Sequence, residues 1–191
     1  MLAPVHALGP GERVCLWTRG CSKRCPGCIS PEMQPATGPQ VPEELLAQIL
    51  TETAVKNGCR GLTVSGGDPL EQPEALLRLL RLLRPAFADI LVYTGYRMEE
   101  LRAGAAGEAG IACLELIDVL IDGRYNEARQ RHDCALRGSD DQRIWYLDPD
   151  KRQSYEDYMR QGRILETFVH GDTAIVVGIQ DKAPERNESE V

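Results

Sequence analysis

Residues 20–28 read GCSKRCPGC, and the three cysteines in that run, Cys21, Cys25 and Cys28, decide how the rest of the chain is read. A C-x3-C-x2-C triplet on one short loop can fold three thiolates around a single inorganic centre. Gly20, Pro26 and Gly27 permit the tight path this needs. Three thiolates are one fewer than the usual four-cysteine iron–sulfur site takes. In a four-iron cluster, that leaves one iron for a ligand that is not protein, and the open iron is where chemistry can occur.

Zinc is the other inorganic reading. Structural zinc sites supply their cysteines in C-x2-4-C pairs separated by a longer span. The remaining candidates, Cys15, Cys59, Cys113, Cys134, His6, His132 and His170, form no second C-x2-C or H-x3-H pair. Disulfides rank lower still: 7 cysteines is an odd number, three of them crowd one loop, and no secretory signal is recognised ahead of them. The four cysteines outside the triplet read as core thiols, and a reducing cytoplasm is the expected compartment.

Working outward, RVCLWT at residues 13–18 suits a first strand leading into the cysteine loop. Prolines at 31, 35, 39 and 42 keep the following stretch irregular. From Pro42 the apolar spacing (Leu45, Leu46, Ile49, Leu50) predicts a helix with its exit at Gly58. GLTVSGG is a buried strand running into a glycine turn, and Pro73 starts a helix with leucines on one face and Arg78, Arg81 and Arg84 on the other. DILVYTG is the next strand and RMEELRAG the next helix. Helix over residues 108–116 then leads to a strand over 118–121. IWYL reads as a strand or a brace, YEDYMRQG as a short helix, and ILETFVHGDTAIVVGI as a strand pair turning at Gly171 and Asp172.

Strand alternating with helix implies parallel strands with crossovers. A closed eight-unit barrel takes roughly 200–400 residues, so 191 residues point to an α/β protein with a partial barrel or an open sheet. One domain is expected over residues 1–180, followed by a polar, frayed tail over 181–191. No apolar run approaches the roughly 20 residues of a membrane span. The net charge of −7 argues against a nucleic-acid-binding surface, and Arg124, Arg129, Arg131 and Arg137 read first as a solvated face.

In order and rough spacing, GCSKRCPGC, SGGDPLEQ (65–72), VYTGY (92–96), IDVLIDGRY (117–125) and LRGSDDQRI (136–144) resemble the radical S-adenosylmethionine (SAM) activating enzymes. Within them the chain is most similar to the small activases of anaerobic ribonucleotide reductase. The resemblance covers residues 13–179. It implies an α/β fold with a partial (β/α) barrel of the radical SAM type, the cysteine loop following the first strand. It also implies a [4Fe-4S] cluster on Cys21, Cys25 and Cys28, with the amino and carboxylate groups of SAM on the open iron. Reductive cleavage would give methionine and a 5′-deoxyadenosyl radical, with the electron from a flavodoxin- or ferredoxin-type reductant. The radical acceptor implied is a protein or peptide, a glycyl radical enzyme in the first place.

The resemblance places further residues at SAM. Ser65, Gly66, Gly67 and Asp68 would receive the methionine ammonium, the glycines because no Cβ blocks close approach. Asp68 stands where the family usually has Glu, one methylene shorter. Gly27 stands where many radical SAM proteins have an aromatic beside the adenine, so the backbone over residues 27–29 would line the nucleoside and the adenine would pack on Ile29 or on residues 175–179, aliphatics that otherwise read as core. Thr94 would meet ribose or carboxylate groups from a strand end. Asp122 is either a polar ligand contact or a turn residue before Gly123. Of Tyr93 and Tyr96, one is expected in the core. Asp140 and Asp141 replace the serine and asparagine usual in the activase branch, and would alter partner contacts. A second reading keeps the radical chemistry with a peptide or small-metabolite target. A third is a non-catalytic iron–sulfur or zinc protein. The segments over 31–42 and 124–142 flank the expected mouth and suit a macromolecular substrate.

Overall fold

The computed structural model describes residues 1–180; the tail expected over 181–191 lies outside the described residues. Its centre is four parallel strands: β2 (Arg13–Thr18), β3 (Gly61–Gly66), β4 (Asp89–Tyr93) and β5 (Val119–Asp122). Register pairs Val14 with Leu62, Leu62 with Ile90, and Leu91 with Val119. Two antiparallel strands complete a six-stranded sheet: β1 (Leu2–Val5) beside β2, and β6 (Arg143–Tyr146) beside β5. The strand expected first in the chain is thus second, because β1 precedes it on the sheet edge. IWYL resolves as a strand. The fold is mixed α/β with a mostly parallel sheet, as the alternation implies.

The period of two along each strand sorts side chains to two faces. Val14, Leu62, Val64, Ile90, Val92 and Leu120 face one layer of helices: α1 (Glu43–Asn57), α2 (Pro73–Leu83), α3 (Met98–Arg102) and α4 (Gly107–Cys113). Leu76, Leu79, Leu80 and Leu83 line the buried stripe of α2, each contributing about 1.5–3 kcal/mol on burial. Helix α1 carries Glu43 and Glu44 in its first turn, Lys56 in its last, and ends at Gly58 in the left-handed conformation, φ 69°.

The alternate residues Leu91, Val119 and Ile121 face the other way, against Tyr155 and Tyr158 of α5 (Arg152–Arg160). A hairpin of β7 (Glu166–His170) and β8 (Thr173–Val177) stands outside the main sheet and packs Val177 and Phe168 against Val5, Ala7 and Cys15. The His6 and Ala7 amides donate to Glu166, both at 2.7 Å.

At the amino-terminal ends of the parallel strands lies a fully buried Arg13. Its guanidinium donates to Asp89 (2.6 Å), Thr63 Oγ1 (2.7 Å) and the Leu62 carbonyl (2.7 Å), and Asp89 also accepts from the Tyr155 hydroxyl. A Cβ at Gly61 would fall 2.6 Å from Arg13 Nη1, so a side chain there would have to displace the bonded guanidinium. This ion pair closes one end of the sheet. The opposite end is left to the loops that carry the motifs.

Candidate functional site

The carboxyl ends of β2, β3, β4 and β5 carry, in order, the cysteine loop, SGGDP, TGY and Gly123. Such ends are where parallel α/β proteins gather ligands. Positive φ at Gly20 (99°), Arg24 (46°) and Gly27 (74°) curls the cysteine loop. The Gly20 and Cys21 amides anchor it by donating to the Met33 and Gln34 carbonyls, each at 2.9 Å, and the Cys28 amide donates to Cys25 across a tight turn.

The glycine pair does more than clear room for a ligand. A Cβ on Gly66 (φ 111°) would lie 2.3 Å from the Thr18 carbonyl oxygen, and one on Gly67 would lie 2.3 Å from that of Gly20. Chain meets chain at this point. The Gly67 amide donates to Thr18 O (2.8 Å) and the Asp68 amide to Gly20 O (2.7 Å), which stitches the end of β3 to the start of the cysteine loop.

Asp68 is 1% exposed. Its carboxylate accepts from the Leu70 amide (3.1 Å), Thr94 Oγ1 (2.8 Å) and the Gly95 amide (3.0 Å), and pairs with Lys23 Nζ at 3.2 Å. It thereby holds three strand-end loops together. Lys23, from the cysteine loop, also pairs with Glu71 (2.7 Å) and sits 3.2 Å from the centroid of the Tyr96 ring. Burial alone would lower its pKa, but Asp68 and Glu71 outweigh that and raise it, so the ammonium stays charged. Glu71 accepts from the Ser22 amide and hydroxyl as well. These bonds and Lys23 overcome the upward pull of burial and hold its carboxyl below the usual range.

Asp122 is likewise spent within the protein. Fully buried, it accepts from the Met98 amide at 2.7 Å and from Arg143, capping α3 from the end of β5. Its side chain is not among the residues that line the cavity; of the two roles expected of it, ligand contact or turn residue, the bonds seen here are internal to the protein. Tyr93 packs on the α5 side of the sheet, its hydroxyl donating to Leu136 O, while Tyr96 serves Lys23.

A cavity of about 720 Å³ brings the other candidates together: Cys21, Cys25, Cys28, Gly27, Ile29, Ser65, Gly66, Gly67 and Thr94 all line it. Ile29 is 53% exposed there, and residues 175–180, from the end of β8 onward, form another part of the wall. Among the described residues no histidine and no fourth cysteine lines this cavity. Cys15, Cys59, Cys113 and Cys134 are buried, as core thiols should be. Three thiols facing one space suit a cluster with an open metal position better than zinc, which wants four protein ligands in a structural site. Burial pushes the Cys21 thiol up against the pull of the Lys23 and Arg24 amides.

The rim over residues 124–142 is braced from within. Arg129 pairs with Asp141 (3.1 Å), and Arg131 with Asp133 (2.6 Å) and Asp140 (2.9 Å). Gln142 Oε1 accepts from the Gly138 amide at 2.8 Å. Asp140 and Asp141 therefore neutralise neighbouring arginines. Arg124 is exposed, forms no ion pair among the described residues, and lines both this cavity and an adjoining one of about 670 Å³ beside Pro26.

Residues 7–145 match the family model described as 4Fe-4S single cluster domain, which places the chain among iron–sulfur proteins of the single-cluster kind, in keeping with three thiols at the mouth of a mostly parallel sheet. Curated relatives are similarly specific. The chain is 33% identical over 150 residues to the anaerobic ribonucleoside-triphosphate reductase-activating protein of Escherichia coli K12, covering 73% of this chain and 91% of that one. It is 33% identical over 141 residues to that of Enterobacteria phage T4 (72% and 85%), and 34% over 146 residues to that of Pasteurella multocida (72% and 89%). The chain belongs to the family of anaerobic ribonucleoside-triphosphate reductase-activating proteins, and it is an enzyme of the activase type. No solved structure matches it.

Sequence reasoning missed Lys23, Glu71 and Tyr96. A lysine between two cysteines reads as solvated, and only the fold reveals that it meets a carboxylate three residues after Asp68 and a ring from the next strand end.

Proposed function

We propose that the protein is a radical SAM activase that cleaves S-adenosylmethionine reductively at a [4Fe-4S] cluster and activates a glycyl radical partner, the anaerobic ribonucleoside-triphosphate reductase named for its relatives. On this reading residues 1–180 act as one domain, the sheet is a partial barrel of the radical SAM type, and a flavodoxin- or ferredoxin-type protein supplies the electron. The observation that carries it is the convergence of Cys21, Cys25 and Cys28 on one cavity with Gly66, Gly67 and Thr94. When bound, the cluster with SAM supplies an electron to a sulfonium and so a 5′-deoxyadenosyl radical.

The chain's own residues do the rest. The three thiolates hold the cluster. The glycine edge over residues 65–67 lets the methionine end of SAM lie against backbone, while Gly27, Ile29 and the wall over residues 175–179 exclude water from the nucleoside. Asp68 acts by fixing Thr94, Gly95 and Lys23 around that edge. Arg124, a rim cation with no ion pair among the described residues, suits an incoming anionic group of the partner. Among the described residues no helix is long and apolar enough to cross a membrane.

Anaerobic reconstitution should yield close to four irons and four sulfides per chain, and reduction with dithionite should release 5′-deoxyadenosine from SAM. Cys25→Ala should lose both. Retention of a full cluster by that variant, or absence of SAM cleavage by the loaded parent, would overturn the reading.

A further inference from the structure

A charged cluster presses against one of the three loop thiols. Cys21 Sγ lies within 4.8 Å of carboxylate oxygens of both Asp68 and Glu71. Two carboxylates so close to a thiolate would disfavour any further negative charge there. A single cation stands among them, Lys23 Nζ, 3.2 Å from Asp68 and 2.7 Å from Glu71, with its side chain only 4% exposed. The neighbours of Lys23 in the loop, Ser22 and Arg24, are both exposed, so the inward turn of this one side chain is specific to its position. The Tyr96 ring covers the ammonium at 3.2 Å from its centroid, an arrangement that favours a cation partly withdrawn from water.

We propose that Lys23 is a positioning residue with an electrostatic duty: clasped by Asp68, Glu71 and Tyr96, it offsets two carboxylates beside Cys21 and thereby raises the reduction potential of the cluster held there. The inference rests on the cluster reading above, and concerns the residues around one ligand of that cluster. Net charge and nearby dipoles are what a protein uses to tune such a potential. Adding an electron to the cluster is disfavoured by Asp68 and Glu71 and favoured by Lys23. The clasp as built carries one net negative charge, since one ammonium faces two carboxylates. Removing the lysine charge leaves two, and removing the Glu71 charge leaves none.

Those two changes predict opposite signs, which separates electrostatics from mere loosening of the loop. In reconstituted, full-length protein, Lys23→Met should lower the midpoint potential of the cluster, measured by a redox titration followed by electron paramagnetic resonance. Glu71→Gln should raise it, and Lys23→Arg should return it close to the parent value. Iron content and the apoprotein melting temperature are measured alongside. A shift of the same sign in Lys23→Met and Glu71→Gln, or no shift in either at full iron content, overturns the inference and leaves the cluster assignment standing. If Lys23→Met fails to fold or to take iron, the sign of the Glu71→Gln shift decides alone. A parent protein that takes up no cluster overturns the reading on which the inference rests.

Discussion

At the scale of single residues, the site is governed by where side chains are absent. Gly66 and Gly67 leave no space between two stretches of backbone, so any Cβ added there meets carbonyl oxygen rather than a side chain able to swing aside. Gly67→Ala should therefore cost about 2–3 kcal/mol of stability, read from urea unfolding of the apoprotein. It should also impair cluster uptake, because the strained point is the seam between β3 and the cysteine loop. A loss under about 0.5 kcal/mol would mean that the seam yields easily. The same scale explains why the internal bonds of Asp68 and Asp122 are not legible in the sequence. A short carboxylate after an apolar strand has the same one-dimensional signature whether it meets a ligand or caps a neighbouring loop. Here backbone amides and cations reach both first: Leu70, Gly95 and Lys23 for Asp68, Met98 and Arg143 for Asp122.

Among the elements, Arg13, Asp89 and Tyr155 tie β2, β4 and α5 at the end of the sheet remote from the cavity. Asp89→Ala would strand a guanidinium with no exposed surface, and breaking a buried pair from one side costs about 3–5 kcal/mol. We expect a loss of that order in chemical denaturation; a change near zero would show that Thr63 and the Leu62 carbonyl suffice to hold Arg13. The elements themselves were unevenly legible. Strands β2 to β5 and helices α1 and α2 were readable because the strands are short apolar runs, the helices carry apolar residues three and four apart, and glycine or proline lies close to each. Strand β1 escaped notice: four residues that include Pro4 have little local signal, and its identity comes from pairing with β2. The rim over residues 124–142 also lacked a signal, since its order comes from charge pairs and side-chain caps rather than periodicity.

For the whole molecule, the buried thiols and phenols set the response to alkali. Burial pushes Cys15 and Cys113 up from 9.0 to about 12, and Tyr158 from 10.0 to about 12. A group whose folded pKa is raised keeps its proton longer when folded. Its stabilisation is complete below the unfolded pKa and is lost as pH rises toward the folded one. Stability of the apoprotein should accordingly hold level up to about pH 8.5 and fall steadily between pH 9 and 12. Cys15→Ala should flatten part of that fall. A urea midpoint that stays constant from pH 8 to 11 would show that these groups ionise without unfolding.

The match to the family model stops at residue 145, yet residues 175–180 close part of the cavity that the three cysteines open onto. The thiols and this wall of one cavity thus come from separate stretches of the chain. Thiols and glycines lie in the first stretch, where they share backbone contacts and resist change. The apolar wall lies in the second, attached chiefly through the packing of Val177 and Phe168 and the grip of Glu166 on two amides. A change of aliphatic side chain at Ile175, Val176 or Ile179 can therefore reshape that wall of the cavity while the backbone seam between β3 and the cysteine loop stays as it is.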